Sequence, residues 1–257
     1  KMDGAKQKRV LLTRENNETL AEALRANGVE VLELPLIRTV HEAQNEDVED
    51  IMREMGSYDW ITFSSANGVK GFFREFFKNF DDIRTLGVAR IACVGEATAA
   101  EVRKLHLRPD VVPAVSTALA MADAMAEYET LDNLKVLCVQ GNLSLPDLPK
   151  TLDEKHRAIV DTAVVYKTEQ VEVGADDKTA ANFRKGGADA VVFASPSAVE
   201  SFVKNAKNLL LENGAVRPKI FSVGPTTTAA LKKYAMNPYM EGGDVAGLLL
   251  AYLGIKG

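Results

Sequence analysis

Apolar positions along the chain change period at short, regular intervals. Val10-Leu11-Leu12-Thr13 is a continuous run bounded by charged residues, which reads as a strand buried on both faces. The spacing then predicts a helix from about Glu18 to Asn27, stopped by Gly28, and a strand from Val29 to Leu34. Further on, Trp60-Ile61-Thr62-Phe63 predicts a strand, and the residues after it carry Val69, Phe72, Phe73, Phe76, Phe77 and Phe80. That series falls at i, i+3, i+4 and i+7, the pattern of an amphipathic helix lying on a sheet. Repeated strand-turn-helix units of this kind imply a parallel sheet covered on both faces, and therefore an α/β fold.

The pattern also repeats at long range. The segment from Asp59 to Val69 (DWITFSSANGV) resembles that from Asp189 to Val199 (DAVVFASPSAV), an offset of 130 residues. The segment from Arg90 to Ala99 resembles that from Lys219 to Thr228 at an offset of 129, and Val10-Leu-Leu-Thr resembles Val136-Leu-Cys-Val at 126. Arg38-Thr39 has a counterpart in Lys167-Thr168. Two copies of one α/β unit thus account for nearly the whole chain. A head-to-tail pair would divide near residue 130, yet residues 31–40 and 159–168 are both long extended runs without the turn residues expected between domains. Such strands can leave one domain and enter the other, so that the first strand-helix unit completes a sheet built from residues after 169. Both arrangements fit the pattern.

Five turns follow predicted strands: Ser64-Ser65-Ala66-Asn67, Gly95-Glu96-Ala97-Thr98, Gln140-Gly141-Asn142, Ala194-Ser195-Pro196-Ser197 and Gly224-Pro225-Thr226-Thr227-Thr228. In an open α/β sheet, ligands bind beyond the carboxyl ends of the strands, where helix N-termini offer free N–H groups and positive dipole ends. Pro196 suits a first helical position, and Ser197 with Glu200 has capping-box spacing. A single turn of this sort is ordinarily just a helix cap. Five, duplicated over two similar domains, suggest more. If the domains face each other, these hydroxyls and amides converge on one cleft suited to a polyanion.

Composition narrows the reading. The 257 residues are 46% hydrophobic and 26% charged, a globular balance. No apolar run reaches the roughly 18 residues of a membrane span, and the basic Lys1–Arg9 stretch is not followed by the apolar core of a signal peptide, so a cytoplasmic protein is expected. A net charge of −5 without a basic stripe argues against nucleic acid as partner. Cys93 and Cys138 lie in strand-like runs and read as buried thiols. Nucleotide-loop and metal-ligand motifs are missing from the sequence, and His41, His106 and His156 stand apart from one another, so neither metal nor cofactor is expected.

The motifs, taken in order, resemble the uroporphyrinogen-III synthase family. They are F-[ST]-S-x-x-[GA]-V and S-P-S-[GA] at the two serine turns, V-G-x-x-T-A at residue 94, V-V-Y-K-T at residues 164–168 and G-P-T-T at residue 224. Their spacing over nearly the full chain carries the resemblance. It implies two flavodoxin-like domains with parallel sheets and a cleft between them, residues 1–36 with 169–257 forming one and 41–163 the other, joined by two linker strands at 36–40 and 164–168. It implies a linear tetrapyrrole substrate, hydroxymethylbilane. Loss of its hydroxyl as water, attack at the substituted carbon of ring D and a spiro intermediate lead to uroporphyrinogen III. Geometry control matters more here than strong acid–base chemistry. Tyr166 matches the family's cleft tyrosine and would donate to the leaving hydroxyl; the plainer reading is a linker ring with its OH in water. Thr98 and Thr227 match threonines that orient a carboxylate or the departing water. Ser64, Ser65, Ser195, Ser197 and Thr226 match turns that bind through hydroxyls and amides, and Gly141-Asn142 matches a further turn, with Gln140 where many members carry Arg. Arg14, after the first strand, is a candidate carboxylate partner or an ordinary surface arginine. The expected state is a monomer, with transient contact to the preceding pathway enzyme. The competing reading is a non-catalytic two-domain α/β sensor of a polyanion, which a signal peptide would have favoured and the duplicated threonine turns disfavour.

Overall fold

The computed structural model of the protein describes residues 6–43 and 46–255. In chain order its elements begin with β1 (Arg9–Leu12), α1 (Glu18–Ala26), β2 (Glu30–Glu33), β3 (Ile37–Val40) and α2 (Val48–Arg53). They continue through β4 (Trp60–Phe63), α3 (Ala66–Asn79), β5 (Arg90–Cys93), α4 (Glu96–Arg103), α5 (Ala118–Tyr128), β6 (Lys135–Gly141) and α6 (Asp147–Glu154). The last are β7 (Ile159–Gln170), α7 (Lys178–Gly186), β8 (Ala190–Phe193), α8 (Pro196–Lys204), β9 (Lys219–Ser222), α9 (Pro225–Lys233), β10 (Met240–Glu241) and α10 (Val245–Tyr252).

These form two compact units. One combines the residues up to Arg38 with those from Glu169 onward; the other is Thr39–Thr168. The first unit holds a five-stranded sheet in the order β10-β9-β8-β1-β2, parallel at every junction. The second holds the order β3-β7-β6-β4-β5, with β7, β6, β4 and β5 mutually parallel. Numbered within each unit, the strands of the first run 2-1-3-4-5, the flavodoxin order, and those of the second run 2-1-3-4 with β3 in the fifth place.

The sequence repeat maps onto these sheets through a change in connectivity. The offset of 130 superposes β4 on β8, that of 129 superposes β5 on β9, and that of 126 superposes β6 on β1. Reading β5-β4-β6-β7 beside β9-β8-β1-β2, equivalent strands hold equivalent places, although in one sheet the first two strands of the chain supply the third and fourth positions. The register agrees: Val136 lies opposite Trp60, as Val10 lies opposite Ala190.

Each sheet is buried on both faces, which is why β4 and β8, near the middle of their sheets, are buried at every residue. In the second unit one face packs Phe63, Val69, Phe72, Phe73 and Phe76, and the other Met121, Met125, Leu148 and Leu152. Phe72 and Phe76 are fully buried, each worth about 1.5–3 kcal/mol of apolar transfer. Phe77, expected on the same face, is instead 45% exposed, because one further residue turns its ring about 100° past Phe76 to the rim of the helix. In the first unit Leu11, Val191 and Phe193 face one layer, and Val10, Leu12 and Val192 the other. Cys93 and Cys138 are buried and unpaired.

Of the two long extended runs, only the second is continuous: β7 has 12 residues. The first breaks between β2 and β3 at Leu34-Pro35-Leu36, where Pro35 has no N–H to offer; Leu34 and Leu36 still donate to the carbonyls of Leu12 and Thr13. The chain passes from one unit to the other within β3, after Arg38, and within β7, after Thr168.

Candidate active site

Parallel order places every strand's carboxyl end on one edge of its sheet, and in a 2-1-3 arrangement the connections diverge on either side of strands 1 and 3. In the second unit that switch point lies between β4 and β6. Ser65 follows β4 and caps α3: its backbone is extended and its Oγ accepts from the Gly68 N–H at 3.0 Å. Such a cap contributes about 1 kcal/mol. The same Oγ lies 2.9 Å from the Oη of Tyr166, 101 residues further on. Ser64 donates its amide to the Val139 carbonyl at 3.5 Å, tying the turn to β6.

Tyr166 sits near the end of β7, opposite Gly141 on β6, just after a register shift between Gln140 and Gly141. A Cβ at Gly141 would clash with the Cζ–Cε2 edge of the Tyr166 ring and lie 2.7 Å from its Oη. Only glycine lets the phenol lie across β6 and reach Ser65. Asn142 donates its amide to the Tyr166 carbonyl at 3.1 Å, and its side chain brackets Thr168, accepting from the Thr168 N–H at 2.8 Å and donating to its carbonyl at 3.4 Å. Ser144 Oγ accepts from the Gly141 N–H at 3.2 Å. Four predicted residues of this unit, Ser65, Gly141, Asn142 and Tyr166, are thus brought into one bonded group. Ser144 and Thr168 complete it; serine three residues after glycine is a recognisable turn spacing, whereas the Thr168 contact depends on tertiary pairing.

The Gln140-Gly141-Asn142 turn is no helix start, since β6 runs through Gly141 and α6 begins only at Asp147. Gln140 is itself buried. At the next strand, Gly95 precedes α4 and Thr98 occupies its third position, where the side chain turns toward the sheet and is 3% exposed.

The first unit carries the equivalent group. Its switch point lies between β1 and β8. Thr13 donates to the Val192 carbonyl across it at 2.6 Å. Ser195 caps α8, accepting from Ala198 at 3.2 Å, with Pro196 at the first helical position. Ser197 lies inside the helix and is no cap; its Oγ is 3.1 Å from that of Ser195. Ser195 takes the cap because its backbone is extended, and Pro196 then starts the helix. Thr226 is exposed at the second position of α9, and Thr227, at the third, is 2% exposed. Arg14 is half-buried and its Nε donates to Asn17 Oδ1 at 3.1 Å. Burial lowers its pKa from the ordinary arginine value, and among the described residues no carboxylate pairs with it.

Electrostatics set the thiols apart from this chemistry: burial pushes Cys93 and Cys138 up to about 12. Among the described residues no three His, Cys, Asp or Glu side chains gather where they could hold a metal ion, and no helix is long and apolar enough to cross a membrane.

Fold and site together define a class: duplicated parallel α/β proteins in which hydroxyl-bearing turns crowd the carboxyl ends of the strands at each topological switch point. Within that class, a family model for uroporphyrinogen-III synthase HemD matches residues 18–243, and the chain belongs to that family. It is 29% identical over 228 residues to a porphyrin biosynthesis protein HemD of Ruminiclostridium josui, covering 88% of this chain and 44% of that one. The chain therefore spans less than half of that relative's length. Against a putative uroporphyrinogen-III synthase of Methanocaldococcus jannaschii it is 26% identical over 236 residues, covering 90% and 91% of the two chains. Among solved structures, a uroporphyrinogen III synthase variant from the extremely thermophilic bacterium Thermus thermophilus superposes with a TM-score of 0.66 at 18% identity, over 96% of this chain and 98% of that one. A uroporphyrinogen-III synthetase from Helicobacter pylori gives 0.63 at 16% identity, over 95% and 98%. At those identities the structures speak for the fold.

Proposed function

We infer that this chain is a uroporphyrinogen-III synthase, which closes hydroxymethylbilane with loss of water and inversion of ring D. The family match over residues 18–243 is the observation that carries this reading. The non-catalytic sensor has no such support. The chemistry asked of the protein is modest in acid–base terms and strict in geometry: a leaving hydroxyl needs a donor, and the cationic azafulvene that remains needs to be held so that ring D is attacked at its substituted carbon.

Tyr166 is the donor in this reading. Ser65 Oγ already accepts from the Gly68 N–H, so its own proton can be given to Tyr166 Oη, which leaves the phenolic O–H to point outward at the departing hydroxyl. Gly141 makes room for that ring and Asn142 holds the backbone of β7 beneath it. Ser64, Ser195, Ser197 and Thr226 offer amides and hydroxyls to substrate carboxylates, with Arg14 as a charged partner. Thr98 and Thr227, buried at third helical positions, act by orienting the turns before them. The crossings at 36–40 and 164–168 serve as linker strands, and the protein works as a cytoplasmic monomer that receives its unstable substrate from the enzyme before it. Incubating freshly made hydroxymethylbilane with the protein and separating the product isomers tests the function. The type III isomer should dominate; type I alone, at the rate seen without protein, would refute it.

A further inference from the structure

The second unit carries a concavity of about 540 Å³ on its flank, between α3 and α4. It lies in the seam between these helices and shares no residue with the group around Tyr166. Three features of it are unexplained by folding. Its floor is apolar, made by Val69, Phe73, Phe77 and Leu105, and Phe77 is 45% exposed although its ring is held in place 5.9 Å from Phe73 and 5.3 Å from Phe76. Its rim is cationic. Lys70, Arg74, Lys78 and Lys104 line it, while the carboxylates beside them are Glu75 and Glu101. Four cations less two carboxylates leave a local surplus of two positive charges, in a chain whose net charge is −5. Third, the Arg74 side chain is 32% exposed and its guanidinium is tied only loosely, by a 3.6 Å ion pair to Glu75 that is too long for a hydrogen bond.

An apolar floor, a surplus of positive charge and a loosely paired guanidinium describe complementary halves of one ligand type. We propose that this groove binds a small amphipathic carboxylate: an extended or two-ring apolar body laid along Phe73 and Phe77, with one anionic head turned to Arg74 and Lys70. The volume is that of a small-molecule site, which generally spans about 300–1,000 Å³. The substrate of the proposed reaction, with eight carboxylates, matches this floor and a two-charge rim poorly, so the groove is a second site.

The test uses the fluorescent probe 8-anilinonaphthalene-1-sulfonate, which joins an aromatic body to one anionic head. Titrated into the intact protein it should bind saturably, one per chain. Decanoate should displace it and decyltrimethylammonium should not. Phe77→Glu, at an exposed position, should weaken binding at least about tenfold, since an apolar ring contact is lost. Lys70→Glu should weaken it roughly three- to tenfold, and Leu210→Glu, an exposed site on the other unit, should leave it unchanged. Thermal unfolding of each variant separates loss of the site from loss of the fold; if Phe77→Glu unfolds, Lys70→Glu decides. Absence of saturable binding, equal binding by Lys70→Glu, or displacement by the cationic amphiphile as readily as by decanoate would overturn the proposal. So would sedimentation showing a dimer that Phe77→Glu dissolves, because the groove would then be covered by a second copy.

Discussion

Tyr166 and Gly141 depend on each other, and the pair allows two substitutions to be read together. Tyr166→Phe keeps the ring and removes the hydroxyl, so unfolding should shift little while the rate of type III formation falls by roughly 10- to 150-fold, the loss of one strong hydrogen bond to a departing group. Gly141→Ala leaves the hydroxyl in the sequence but drives a methyl against the edge of the ring. It should cost at least as much rate as Tyr166→Phe, and it should also lower stability by about 1–3 kcal/mol. Isomer-resolved product assays beside urea unfolding check both; full activity in Gly141→Ala would mean that the ring's place across β6 is irrelevant. Thr98→Val and Thr227→Val should each cost less rate than Tyr166→Phe, since both side chains are buried and neighbouring amides remain. Cys93 and Cys138 give a pH signature. Unfolded, their thiols lose protons near pH 9; folded, they keep them to about 12. The folded state then binds more protons through that window, so their contribution is whole below pH 9 and is lost as pH rises above it. Cys138→Ala should flatten the fall in stability between pH 9 and 11, and neither thiol should react with a disulfide reagent at pH 8 until the protein unfolds.

At the scale of elements, α3 lies unusually close to β7. A Cβ at Gly71 would meet the Val165 carbonyl oxygen at 2.7 Å, so the helix rests on the strand through a residue without a side chain. Gly71→Ala should destabilise by about 1–3 kcal/mol despite its better helix propensity, seen as a lower denaturant midpoint with an unchanged slope. A stabilised variant would show that the helix can move off freely. The elements themselves were largely legible from sequence, because period and punctuation agree: α1 starts at Glu18 and ends before Gly28, and α3 carries its phenylalanines at helical spacing. What was not legible depends on backbone state or distant partners. Ser197 has the spacing of a cap, but the extended conformation belongs to Ser195 and Pro196 commits the next residue to the helix. Gln140-Gly141-Asn142 looks like the start of a helix, but pairing with β7 extends the strand through it. The bond from Ser65 to Tyr166 joins residues 101 apart, and only the sheet order brings them together.

At the scale of the molecule, charge and connectivity matter. Under the proposed function, a chain of net charge −5 would have to attract a polycarboxylate locally, through turn amides and cations such as Arg14. KM for hydroxymethylbilane should rise with ionic strength between about 0.02 and 0.3 M, where screening shortens from well above 10 Å to below it; a KM indifferent to salt would place recognition in apolar contacts. The central strand of the first unit, β1, pairs on one side with β2 and on the other with β8, and Val10 lies opposite Ala190, 180 residues later. On the ribosome, the residues of the second unit are all available before β8 has been made. At about 5–20 residues per second, the 152 residues from Thr39 to Ala190 take roughly 8–30 s. For that interval β1, apolar on both faces, has only β2 beside it. The window is long enough for a holding chaperone to matter, and rare codons between residues 40 and 190 would lengthen it.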